Sequence, residues 1–91
     1  MRKRKKNVPL VLVEWEDSVQ PVPSWRYAED VGKPTPVLCH SVGWLIADTA
    51  KAKALAPNVA GISGTAAPQV SGVITIPARA VRRQRKLKAP W

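Results

Sequence analysis

The chain of 91 residues contains no phenylalanine, one cysteine, one histidine, one tyrosine and only six acidic residues. A lone Cys39 cannot staple a monomer, and Cys39 with His40 falls short of the four ligands of a structural zinc site. Stability in one small domain of this length must then come from packing or self-association. The want of disulfide arithmetic fits a reducing compartment, and no run of about eighteen apolar residues offers a transmembrane span. We therefore expect a cytosolic protein with no membrane partner. The opening MRKRKKNVPLVLVEWEDS faintly imitates a signal peptide, but Glu14, Glu16 and Asp17 interrupt it too soon. No glycine pattern matches a phosphate-cradling loop, and no nucleophile elbow occurs. Neither an enzyme nor a cofactor is expected.

What the chain has is positive charge, and the charge is segregated. The formal net charge is +9, with five Lys/Arg at residues 2 to 6 and six more at residues 79 to 88. Between these ends four basic residues, Arg26, Lys33, Lys51 and Lys53, face all six acids. A mildly acidic body with basic ends reads as a neutral scaffold carrying polyanion-binding arms.

The body reads as strands. Val11, Val13 and Trp15 alternate with Glu14 and Glu16, a first half-buried strand after Pro9. Residues 18 to 36 are broken by Pro21, Pro23, Pro34 and Pro36, with room for one short helix at Trp25 to Val31 capped by Ser24 and stopped by Gly32. Val37 to Ile46 alternates again, with Leu38, His40, Val42, Trp44 and Ile46 on one face, and Gly43 suggests a bulge or sharp bend. Residues 51 to 56 fit a strand, although the helical propensity of ADTAKAKALA makes a helix its rival. Asn58 to Pro68 reads as a loop of small residues. Val70 to Pro77, VSGVITIP, alternates as the strand around which the rest is organised. After Pro77 we expect a short turn and a closing strand from Arg79 to Leu87. The domain limits are then a basic arm at 1–7, a small β-domain at 8–87 and a tail at 88–91.

The order VEWEDS (Val13 to Ser18), Ser24 and Trp25, SVGWLI (Ser41 to Ile46), LAPNV (Leu55 to Val59) and VSGVITIPARAV (Val70 to Val81) resembles a family of small proteins encoded by tailed bacteriophages. The resemblance implies a small SH3- or Sm-like barrel and a viral accessory protein acting in the host cytoplasm; with the strands read above we expect an all-β, five-stranded barrel with a proline-rich loop and basic termini. The alanine-rich residues 51 to 56 and the heavily basic ends depart from the family's pattern.

Each candidate group has a plain reading beside its functional one. Glu14 and Glu16 share a strand face and can serve as an acid/base pair or hold a cation, but a solvated strand face is the commoner arrangement for such a pair. Cys39 and His40 are strand neighbours pointing to opposite faces, so they cannot act as a pair. Trp15 and Trp44 read as core. Trp25, Arg26 and Tyr27 place a cation between two aromatics in the proline-rich loop, suited to stacking on a base and holding a phosphate, or to pinning the loop to the barrel. Trp91 is either a loose end or an anchor in a neighbouring subunit. The ends, Arg2, Lys3, Arg4, Lys5 and Lys6 with Arg82, Arg83, Arg85 and Lys86, read as nucleic-acid contacts or as solubility tails, and less readily as a membrane-surface patch, for which residues 79 to 88 offer only Val81 and Leu87. We expect a non-catalytic binder of an anionic ligand, self-associating as a homo-oligomer. The ligand is either nucleic acid on the basic ends, or a small host immune signalling nucleotide held by Trp25, Arg26, Tyr27, Lys51 and Lys53. The rival is a structural or interaction protein: a minor virion component, or an inhibitor docking on a host defence protein.

Overall fold

The alternating runs become strands. A computed structural model describes residues 8–61 and 67–89, and within them the chain forms β1 (Leu10–Asp17), β2 (Val37–Asp48), β3 (Ala52–Ala56), β4 (Asn58–Ala60), β5 (Gln69–Ser71), β6 (Ile74–Pro77) and β7 (Val81–Leu87). Three-residue 3₁₀ turns lie at Ala28–Asp30 and Ala78–Ala80. Lys51 to Ala56 therefore resolves in favour of strand, and the turn and last strand follow Pro77 as expected. No helix among the described residues is long and apolar enough to cross a membrane.

Five strands pair antiparallel in the order β6-β3-β2-β1-β7. The consecutive strands β6 and β7 thus sit at opposite edges, joined only by Ala78–Ala80. With strands about 4.8 Å apart, the outer two of five would lie about 19 Å apart in a flat sheet, whereas a 3₁₀ turn advances about 2 Å per residue. The sheet must roll. Its inner face closes on Val11 and Val13 of β1, Leu55 of β3 and Ile76 of β6, all at most 1% exposed, with Trp15, Leu45, Ala80 and Val81 packed against them. Each of these fully buried aliphatic side chains contributes about 1.5–3 kcal/mol relative to exposure. The closed barrel expected from the sequence is not found, because no ladder joins β6 to β7. Instead the turn folds back on the β2–β3 connection, the Ala78 N–H donating to the Lys51 carbonyl at 2.8 Å.

Four further expectations are corrected. VSGVITIP is two edge strands rather than one organising strand, and Asn58–Ala60 is strand rather than loop. The two halves nevertheless keep one register: Leu55 faces Ile74, and three residues farther along each strand Asn58 faces Ser71. One long hairpin is kinked where Pro57, which has no donor, meets Gly72 at φ +74°. A Cβ on Gly72 would come within 3.0 Å of Pro57 Cγ. The ladder irregularity in β2 falls between Leu45 and Ala47, not at Gly43. Gly43 instead permits a close approach, since a Cβ there would stand 3.0 Å from the Ala56 carbonyl oxygen. The helix expected at Trp25 to Val31 shrinks to Ala28–Asp30 after Tyr27, with no side-chain cap and no buried residue. Without an apolar stripe to bury, a longer helix at this length has nothing to hold it.

Candidate functional site

The register of β1 with its two neighbours decides which side chains meet. On the outer face, rows run across β2, β1 and β7: His40–Glu14–Arg83, then Val42–Leu12–Arg85, then Trp44–Leu10–Leu87. The β-bulge between Glu14 and Trp15 on this ladder leaves Arg82 beside the ladder, where it pairs with Glu16. Glu14 is shared: its Oε1 lies 3.1 Å from His40 Nε2 and its Oε2 3.7 Å from Arg83 Nε. Among the described residues, no carboxylate pairs with Arg85 or Lys86. Leu12, Glu14, His40, Arg83 and Arg85 line a hollow of about 150 Å³.

The apolar side of β2 turns outward. Small residues, Cys39, Ser41 and Gly43, lie opposite Trp15, Val13 and Val11 on the inner face, while Leu38 and Val42 are 54% and 55% exposed on the outer one. Trp15 belongs to the core as expected and donates from Nε1 to Ser41 Oγ at 3.0 Å. Trp44 does not belong to it: it stands opposite Leu10 on the outer face, at the base of a cleft under the kinked hairpin lined by Pro57, Asn58 and Val70.

The expected contact residues separate into groups. Arg82, Arg83, Arg85 and Lys86 lie on a regular edge strand rather than on a trailing end. Arg2, Lys3, Arg4, Lys5 and Lys6 fall outside the described residues, as does Trp91. Leu10 faces Leu87, however, so β1 begins beside the end of β7. Trp25 (101% exposed) and Tyr27 (78%) project from a stretch, residues 17 to 38, in which every side chain is exposed. Arg26 lines a shallow cleft inside that stretch with Val19, Val22 and Val31. Lys51 and Lys53 lie beyond the opposite end of β2, and Lys53 is held by Asp48 at 2.9 Å with only 15% of its side chain exposed. Among the described residues, no three His, Cys, Asp or Glu side chains are placed to hold a metal ion.

The Glu14–His40–Arg83–Arg85 cluster escaped sequence reasoning. Its signal was present, two acids spaced by two in one strand and two arginines spaced by two in another. Only the register across β2, β1 and β7 shows that they face one another. Comparison with protein-family models, curated proteins and solved structures finds no match to the chain.

Proposed function

We propose that the chain is a non-catalytic bacteriophage accessory protein that binds nucleic acid in the host cytoplasm through the basic end of its sheet. The observation that carries this reading is the antiparallel pairing of β1 with β7. It sets Arg82, Arg83, Arg85 and Lys86 on an ordered strand beside β1, where Arg85 and Lys86 are left exposed without a carboxylate partner among the described residues. Such a cluster supplies affinity without base specificity, through release of counterions from the phosphate backbone. An SH3- or Sm-like architecture is supported by the strand order and by the 3₁₀ turn before the last strand. Self-association is supported by the two open edges at β6 and β7.

A second reading, docking on a host or virion protein, is favoured by the exposed Trp25, Tyr27, Val19, Val22 and Val31. Native mass spectrometry of protein purified from infected cells without a high-salt wash separates these ideas. Heterogeneous polyanion removed by nuclease is the expected result. A discrete multimer carrying a few hundred daltons per site would move the ligand to a sequestered nucleotide. A stoichiometric protein companion would favour docking, and a bare chain would contradict the binding of any anion.

A further inference from the structure

We infer that Arg83 and Arg85, arranged over Leu12 and beside Glu14 and His40 on the outer face of β7, β1 and β2, form a discrete site for a single phosphate group. The inference deepens the nucleic-acid reading and rests on it for the kind of molecule that brings the phosphate. Arg83 and Arg85 are two residues apart on one strand, so they share a face with their backbones about 7 Å apart. A phosphate group can bridge two guanidinium forks at that spacing. The hollow of about 150 Å³ between them accommodates one such group with water.

Glu14 orders the site. One of its oxygens meets His40 and the other meets Arg83, which leaves Arg85 without a carboxylate partner among the described residues. Two arginines against one carboxylate leave the cluster net positive, suited to a phosphodiester or a phosphate monoanion. The row containing Arg85 continues through Leu12 to the exposed Val42. An organic group attached to the phosphate therefore meets an apolar strip beside a basic pocket. That sequence of surfaces matches a nucleotide unit, whose sugar and base extend from the phosphate.

Two sources carry this chemistry, an internal phosphodiester and a terminal phosphate, and the test tells them apart. Inorganic phosphate is titrated into the full chain while the Nε–H signals of the arginines are followed by NMR. Arg83 and Arg85 should shift and Arg82, which is tied to Glu16, should not. Binding of a short single-stranded oligonucleotide, with and without a 5′-phosphate, is then measured for the wild type, R85Q and K86Q. Both variants remove one exposed charge from β7, but Lys86 faces the other side, opposite Val11. R85Q should weaken binding about tenfold, as expected for removing one charge-assisted pair, and K86Q about twofold. Preference for the 5′-phosphorylated strand identifies a terminal phosphate; equal binding identifies the backbone. Equal losses in R85Q and K86Q with no selective arginine shift would overturn the pocket and leave the nucleic-acid reading standing. Selective phosphate shifts with no oligonucleotide binding by the wild type would do the reverse.

Discussion

The inner and outer faces of β1, β2 and β7 use the same three strands for different ends. Inside, Val11 and Val13 of β1 lie under small residues of β2, and the rolled sheet brings Leu55 and Ile76 against them. Outside, the larger apolar residues of β2 remain exposed beside two carboxylates, an imidazole and the arginines of β7. The difference teaches that hydrophobicity along a strand does not by itself name its buried side. Curvature does: the concave face of a tightly rolled sheet has room for Gly43 and Ser41 but not for two rows of large side chains.

Substitutions that exchange the two faces should separate stability from binding. The largest effect is expected from Val13→Asp, which puts an unpaired carboxylate at a fully buried position. It should cost at least about 4 kcal/mol in urea unfolding, enough to unfold a small domain, while Val42→Asp on the outer face stays within about 0.5 kcal/mol. Ile76→Ala should lose about 2–4 kcal/mol by leaving a cavity in the cluster that joins β6 to β1. Gly43→Ala forces a methyl against the Ala56 backbone, 3.0 Å from its oxygen and 3.2 Å from its carbon, and should cost about 1–3 kcal/mol by the same measurement. Also small in stability is Glu14→Gln, at about 1 kcal/mol or less for an ion-pair cluster whose cationic partners are exposed. Its effect belongs to binding: without the carboxylate the outer face gains one unit of positive charge, and phosphate affinity by NMR titration should rise about threefold.

The all-β class, the two-residue period of β1, β2 and β7, and the turn after Pro77 were legible in the sequence because each rests on local pattern. Lys51 to Ala56 was harder, since its alanines favour helix locally and only pairing with Leu45 and Ile74 on either side makes it strand. The kinked hairpin was hidden for a similar reason: Pro57 and Gly72 look like two separate breaks until the register sets them opposite one another. At the candidate site, the basic residues were legible from charge alone. The partnership of Lys53 with Asp48 and of Arg82 and Arg83 with the glutamates was not, because cross-strand neighbours depend on strand order and a bulge. The outward placement of Trp44 was missed because the roll of the sheet, rather than the alternation within β2, decides which face is buried.

The central claim is that β7 holds phosphate with its basic residues as an ordered strand. The most direct measurement is the salt dependence of duplex DNA binding for the wild type and for the variant with Arg82, Arg83, Arg85 and Lys86 all changed to Ala, each checked for retained fold by circular dichroism. The account predicts a steep wild-type dependence whose slope of log K against log salt becomes shallower by about 0.9 for each phosphate that the variant no longer neutralises, with binding collapsing at physiological salt. A variant that keeps the wild-type slope and affinity would contradict it.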